Sequence, residues 1–518
     1  MESTNAELDE FLKPLPAIDP DLVLRLAKEL GATFRRLSAE SKEMFLPTPI
    51  SESILRPVAG KDLGRFLAID IGGTNLRVGF VELLGDTIPE ERADGTTTKT
   101  NGSITSETEE PRLRLLLEQK WAIGNHLKNE NAESFFSWIG RNIATVVRRG
   151  VEEFGLPADA DLPMGVTFSF PMVQRSLSQA TLMAMGKGFA ITSDLDLGQL
   201  LQQGYNTHRG TDIPPISIAA ISNDTVATLV SLIYQFKAAE HQKAIMGLIV
   251  GTGCNATVPL KLSSLHESKR PESVSVLPGQ EDDDVRIAVN TEWSINGSAQ
   301  PLRDFGLISV WDRELDEAGE SPGFQPLEYM TAGRYLGELA RLIMVDYMTS
   351  SLRHARNSLP TKLLERFSLT TTFISHFYPG SCKGPLLDLL RTEFPDFPWT
   401  TEHANALHRI AKAIELRAAG IIAAATLGLL MCADEIPITP AQEDKRQELI
   451  VGWTGGCIQY FQTYLQDTQR FMDEALGLFY RDAGVEEAPV RVLLVPCHDG
   501  GIKGAGILVP AALASQET

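Results

Sequence analysis

The sequence predicts an α/β protein built as two related lobes, and three observations carry that reading. Strand-like runs alternate with amphipathic helical stretches along most of the 518 residues. Two strand–turn–strand stretches echo each other, Ala68-Ile-Asp-Ile-Gly-Gly-Thr-Asn and Leu248-Ile-Val-Gly-Thr-Gly-Cys-Asn. A hydrophobic content of 43% is enough for more than one large core in a chain of this length.

The elements follow in order. Apolar residues at helical spacing (Leu22, Leu26, Leu30, Phe34, Leu37) open the fold with an amphipathic helix over 19–45. The proline-containing stretch Leu46-Pro-Thr-Pro-Ile50 reads as a loop. Arg65 to Ile71 is a strand, the Gly72-Gly73-Thr74-Asn75 stretch a turn, and Leu76 to Leu84 a second strand. The Thr-, Glu- and Ser-rich stretch 86–112 and the polar stretch 263–286, with the acidic run Glu281–Asp284, read as solvated loops. Further strands are expected at Met164–Phe170, Ile216–Ile221 and Ala244–Val250, with helices at 132–154 and 225–238. The apolar run Ala418–Ala433 is short of the roughly 20 residues of a membrane span. It reads as part of one long buried helix.

Composition excludes several roles. A net charge of −20 repels phosphate backbones and anionic lipid, so no nucleic-acid partner is expected. An anionic ligand must then be drawn in by local devices. The five cysteines (Cys254, Cys382, Cys432, Cys457, Cys497) are scattered without CxxC spacing, which argues against a disulfide framework or a zinc site. Met1–Glu10 has neither an apolar signal core nor an Arg-rich transit pattern. With no membrane span expected, a cytoplasmic protein is the reading.

Two motifs suit phosphate and proton chemistry. A strand ending in Asp70 before Gly72, Gly73, Thr74 and Asn75 offers backbone N–H groups and a hydroxyl to phosphate oxygens. Asp70 could hold Mg²⁺ through water. Read alone, such a stretch is more often an ordinary hairpin turn; its echo at Gly251-Thr252-Gly253 brings the phosphate reading level with it. No GxxxxGK[ST] is present. The Asn223-Asp224 pair, at a strand-to-helix junction, could place a general base with an orienting amide. It could also be a plain helix N-cap. Lys187, between Gly186 and Gly188, is either a phosphate-meeting charge or an exposed turn lysine.

Together these residues resemble the eukaryotic hexokinase family. Phe66-Leu-Ala-Ile-Asp-Ile-Gly-Gly-Thr-Asn-Leu-Arg-Val is similar to that family's first phosphate motif, and Thr167-Phe-Ser-Phe-Pro171 to its sugar-binding signature. Asn223-Asp224-Thr225, Gly251-Thr-Gly-Cys-Asn-Ala256, Val289-Asn-Thr-Glu-Trp293 and the Glu328 block follow in the family's order, from about residue 20 to 515. The resemblance implies a two-lobed fold with an actin/sugar-kinase type nucleotide core and a cleft between a small and a large domain. Residues 1–64 would be an N-terminal helix and linker on the large domain. The small domain would be 65–222 plus a C-terminal helix at about 504–518, and the large domain 223–503.

The resemblance also implies phosphoryl transfer from ATP, with Mg²⁺, to a hexose 6-hydroxyl. Asp224 would be the general base and Lys187 would touch sugar and the moving phosphoryl group. Ser169, Asn223, Asn255, Glu292 and Glu328 would bind the sugar. Asp70, Gly72, Gly73, Thr74, Asn75, Thr252, Gly455 and Gly504 would line the nucleotide. The sequence departs from the family at Gly186 (a Thr there), Ser294 (a Gly) and Thr454-Gly455-Gly456 (Asp-Gly-Ser). The stretch Phe45–Pro57 and the Trp-Thr-Gly-Gly block resemble fungal N-acetylglucosamine kinases, making an N-acetylhexosamine the expected substrate and glucose the alternative. The family also includes weakly catalytic sugar sensors that act through regulatory protein partners. An actin- or chaperone-like ATPase would leave the sugar blocks unexplained.

Overall fold

The computed structural model describes residues 2–51, 63–85, 112–128, 131–183, 194–236, 238–271, 274, 285–377, 385–437 and 446–516. The stretch 86–111, the acidic run Glu281–Asp284, Cys382, and Gly186 with Lys187 lie outside them. The chain divides into two compact units. The first comprises Met1–Pro47, Ala238–Arg270 and Glu281–His498, the second Thr48–Lys237, Pro271–Gln280 and Asp499–Thr518.

Leu46–Ile50, read as a loop, lies in a strand, β1 (Leu46–Ser51), and all the strand's residues are buried. Pro47 and Pro49 alternate, so the missing N–H groups fall on one side of the backbone and the other side can still pair.

The second unit is built on a five-stranded sheet. Its members are β2 (Gly64–Ile71), β3 (Asn75–Leu83), β4 (Leu113–Ala122), β5 (Leu162–Phe168) and β8 (Ile216–Ser222). A separate antiparallel hairpin joins β6 (Met172–Ser176) to β7 (Gln179–Leu182). The sheet order is β4-β3-β2-β5-β8, antiparallel across β3 and parallel across β2, β5 and β8. Alternation places Leu67, Ile69, Val78, Phe80, Met164 and Val166 in one core with Phe135, Ile139 and Ile143 of helix Ala132–Phe154.

In that unit the helix Gly500–Gln516 packs on helix Asp224–Gln235 and on the sheet. A Cβ at Gly504 would lie 2.2 Å from the Ala227 carbonyl oxygen. Gly504→Ala is therefore expected to cost about 1–3 kcal/mol by overpacking. Gly477→Ala, in helix Tyr464–Asp482 with nothing within 4 Å of the new Cβ, should stabilise by about 0.5–1 kcal/mol through helix propensity. Denaturant melts of the two variants check this pair; a Gly504 variant as stable as the parent would refute the packing role.

The first unit carries β9 (Gln242–Val250), β10 (Cys254–Lys261), β11 (Arg286–Asn290), β12 (Gln447–Thr454) and β13 (Val490–Pro496), paired in the order β11-β10-β9-β12-β13. β9 and β10 are antiparallel, so the echoed hairpin occurs once in each unit. Helix Pro20–Glu40 starts at Asp19, which accepts a hydrogen bond from the Leu22 N–H at 2.8 Å, with Pro20 in the first turn. Its buried face meets helix Thr401–Cys432, and Gly31 and Gly428 let the backbones approach. Thr401–Cys432 is long and apolar enough to cross a membrane, but 89% of its apolar window is buried inside the protein.

Candidate active site

In the second unit three parallel strands end side by side. The register pairs Asp70 with Thr167 and Thr167 with Ser222, so Asp70, Ser169 and Asn223-Asp224 gather at one sheet edge. Strand C-termini of this kind are where α/β proteins collect ligands. The turn after β2 closes through Gly72 N–H to the Asn75 carbonyl at 2.9 Å, and Thr74 stands exposed with its hydroxyl accepting from Asn75 Nδ2. The Ser169 N–H donates to the Ile71 carbonyl, holding the two loops together.

Asp70 is the most perturbed carboxyl of this edge. Burial pushes it up to about 7, Arg77 pulls it down, and Asp224, Glu118 and Asp499 raise it. Arg77 is shared, donating to Glu118 at 2.5 Å and to Asp499 at 2.7 Å. A Cβ at Gly501 would sit 2.6 Å from Asp70 Oδ2, so only glycine lets the helix start come this close to the carboxylate.

Asn223, rather than Asp224, caps the helix that follows. Its Oδ1 accepts from Thr225 N–H at 3.0 Å and from the Thr225 hydroxyl at 2.7 Å, while its amide reaches toward the Phe168 carbonyl at 3.5 Å. Asp224 follows as the first helical residue, half-buried, and its Oδ1 accepts from the same Thr225 N–H at 2.9 Å. Gly504 is buried against Ala227, so its visible work is helix packing.

The first unit gathers a different set. Asn255 Nδ2 donates to Asn290 Oδ1 at 2.8 Å and to Glu292 Oε1 at 3.4 Å, and Asn290 Nδ2 donates to Glu292 Oε1 at 2.9 Å. Thr291 Oγ1 reaches Asn255 Oδ1 at 3.3 Å. The Cys254 N–H donates to Glu328 Oε2 at 3.0 Å, which brings the Glu328 segment to the same strand. Asn290 and Thr291, inside the Val289–Trp293 block, join this hydrogen-bonded cluster although neither is among the residues expected from the sequence. Glu292 is buried and sits at φ +47, a left-handed conformation that a glutamate adopts at a cost of order 1–3 kcal/mol. Ser294, two residues on, is buried, and Gln325 Nε2 lies 3.5 Å from its hydroxyl.

Thr252 is exposed at the tip of the turn after β9, where Gly251 N–H donates to the Gly253 carbonyl at 2.9 Å. Gly455, at φ +123, follows β12; a Cβ there would stand 2.3 Å from the Val250 carbonyl oxygen and 2.7 Å from the Gly251 nitrogen. The Gly251 and Gly455 turns therefore pack backbone against backbone, at the adjacent ends of two parallel strands. Such turns suit phosphate oxygens approaching main-chain N–H groups.

Asp70 is a partly buried carboxylate whose charge is held off by burial, with Asp224 and Asp499 close enough to act on it. A hard divalent cation would offset that charge, and Mg²⁺ ordinarily needs only one or two carboxylates beside waters and phosphates. Among the described residues no group of three or more His, Cys, Asp and Glu is placed to hold a metal ion. A lone carboxylate such as Asp70 suits an ion that keeps most of its waters and shares them with phosphate.

Comparison with known proteins gives a consistent result. Two family models, each described as hexokinase, match residues 7–234 and 245–511. Hexokinase-1 of Schizosaccharomyces pombe is 28% identical over 464 residues, 87% of this chain and 79% of that protein. Hexokinase-1 of Arabidopsis thaliana is 27% identical over 455 residues, covering 87% and 80%. Among solved structures, a hexokinase from Schistosoma mansoni complexed with glucose aligns with a TM-score of 0.72 at 24% identity, covering 98% of this chain and 99% of that one. Another hexokinase crystal structure aligns with a TM-score of 0.70 at 22% identity, over 99% and 100%.

Proposed function

The chain belongs to the hexokinase family, a sugar kinase transferring a phosphoryl group from ATP, and from that premise we propose that it phosphorylates the 6-hydroxyl of N-acetylglucosamine in preference to glucose. The observation that supports a polyol ligand most is the cluster of two carboxylates and two amides formed by Glu292, Glu328, Asn255 and Asn290. Fixed acceptors and donors of this density match a ring of hydroxyls.

Asp224 takes the proton from the 6-hydroxyl, with Asn223 beside it and Ser169, Asn255, Glu292 and Glu328 holding the other hydroxyls. Lys187, outside the described residues, meets the phosphoryl group. Asp70, Gly72, Gly73, Thr74, Asn75, Thr252 and Gly455 line the nucleotide, and Gly504 acts by placing the last helix. Asp70 would hold Mg²⁺ through water. When bound, Mg²⁺ supplies neutralisation of phosphate charge. The buried thiols of Cys254, Cys432, Cys457 and Cys497 support a reducing, cytoplasmic setting.

The preference for the acetamido sugar rests on Ser294 with Gln325, and on Gly186. Ser294 brings a hydroxyl next to the Glu292-Trp293 pair, within reach of the Gln325 amide. An acetamide needs partners for its N–H and C=O, and leaving either unpaired costs about 1–3 kcal/mol. Gly186, outside the described residues, takes the place of a larger residue beside Lys187. The test is ATP consumption by the purified protein with N-acetylglucosamine, glucose, mannose and fructose in parallel. The expected result is a higher kcat/KM for N-acetylglucosamine, with some glucose activity retained. A tenfold or greater preference for glucose would refute the sugar choice and leave the kinase assignment standing.

A further inference from the structure

We propose that the first unit carries a separate binding site for a small organic carboxylate with an apolar body, in the cavity walled by Arg303, Arg313, Ile308, Pro326, Tyr329 and Met330. The cavity measures about 310 Å³, inside the ordinary range for small-molecule sites. Gly306 on its wall stands at φ +64 with nothing within 4 Å of where a Cβ would be, so the space beside it is open.

Charge on the walls selects the ligand. Arg303, from helix Ala299–Asp304, donates to Asn296 Oδ1 at 2.8 Å. Arg313, from helix Val310–Glu317, donates to the Ile308 carbonyl at 3.1 Å. Both acceptors are neutral, so neither guanidinium is neutralised by its hydrogen-bond partner. The two carboxylates on the same walls are engaged: Asp312 accepts both nitrogens of the Arg417 fork at 2.6 and 2.8 Å, and Asp316 accepts from Gly323 N–H at 2.7 Å. With the Arg417 fork engaging Asp312, Arg303 and Arg313 are the two cations on the cavity wall, with Asp316 on the same wall and Glu320 and Glu328 acting on Tyr329. Guanidinium forks match carboxylates in shape as well as charge.

The remaining walls are apolar. Ile308, Pro326 and Met330 supply aliphatic surface, and Tyr329 presents its ring while its hydroxyl donates to the Ser321 carbonyl at 3.0 Å. Burial pushes that phenol up to about 12, so it adds no negative charge. An acid head beside a hydrophobic body fits this division.

The site is mechanically connected to the sugar cluster. Pro326, Tyr329 and Met330 face the cavity from helix Pro326–Thr331, and Glu328 on the same short helix accepts from Cys254 N–H. An occupant therefore bears on the element that carries Glu328. Binding of the carboxylate is independent of the sugar assignment; its coupling to sugar rests on the proposed role of Glu328.

The test is calorimetric titration of the full chain with 3-phenylpropionate and with its neutral isostere 3-phenylpropanamide. The acid should bind saturably at one site, and the amide at least about tenfold more weakly. The double variant R303A/R313A, altered only at exposed side chains, should bind the acid about tenfold more weakly, with melting temperature and basal kcat unchanged. Ile308→Trp should fill the cavity and abolish binding. The Kd for sugar should shift when the acid is saturating, and the acid's Kd should shift by the same factor when sugar is saturating. Equal affinity for acid and amide, no saturable heat at millimolar acid, or wild-type affinity in the double variant would each overturn the site. A sugar Kd indifferent to the acid, with Glu328→Gln weakening sugar binding, would overturn the coupling alone. Unchanged sugar affinity in Glu328→Gln would instead count against the sugar reading and leave the carboxylate site intact.

Discussion

Asp224→Ala is expected to lower turnover by about 10²–10⁴-fold, the usual cost of removing a general base, while sugar affinity changes far less. The helix cap makes this a clean experiment. Asn223 accepts from the Thr225 N–H and hydroxyl, so that N–H keeps a partner when the Asp224 carboxylate is gone. The variant should therefore melt close to the wild type, and Asp224→Asn should behave likewise. Steady-state kinetics with saturating ATP, alongside direct sugar-binding titrations, separate chemistry from binding. A folded Asp224→Ala protein within tenfold of wild-type kcat would remove Asp224 from the base role. A loss confined to sugar affinity would make it a binding residue instead.

Asp312→Ala should cost the first unit about 3–5 kcal/mol, because it leaves a buried guanidinium without its counter-charge. Arg417 and Asp312 are both essentially inaccessible and bound fork to fork, and Arg417 also donates to the Leu307 carbonyl. Asp312 closes the capping box with Ser309 at the start of helix Val310–Glu317, so the helix loses its cap at the same time. Replacing both partners by apolar residues, Asp312→Leu with Arg417→Met, should cost less than the Asp312→Ala change alone. Denaturant unfolding of the single and double variants measures the difference.

The pH dependence has a definite sign. Burial raises the Asp312 carboxyl, but Arg417 and the Ser309 hydrogen bonds together hold it below its ordinary value. Its stabilisation is thus present above the ordinary carboxyl value of 3.8 and is lost as pH falls through the folded-state value. The wild type should lose this contribution in acid, and the Leu/Met double variant should not. Equal acid sensitivity in the two proteins would show that the pair does not govern acid unfolding.

Much of the fold was legible because its signals are local. Helical spacing at Leu22, Leu26, Leu30 and Phe34 was enough for the helix now bounded by Pro20 and Glu40, since periodicity records which face is buried. The runs ending at Ile71 and Val250, each followed by a glycine turn, became antiparallel hairpins because turn chemistry acts between near neighbours. Leu46–Ile50 was misread for the complementary reason: two prolines are a strong local loop signal, and burial of the whole segment overrides it.

The sequence by itself determined the α/β class, the two echoed hairpins, the family blocks and the strand-to-helix position of Asp224, all of which are written in adjacent residues. Only the tertiary structure decided what those residues touch. It brings Glu328 to Cys254, 74 positions away along the chain, and sets Asn290 between Asn255 and Glu292 through the pairing of β10 with β11. It spends Asn223 on a cap, commits Gly504 to helix packing, and raises Asp70 by burying it beside three other carboxylates. The reason is physical: strand register, close backbone approach and desolvation depend on distances between remote segments, and those distances exist only once the chain has folded.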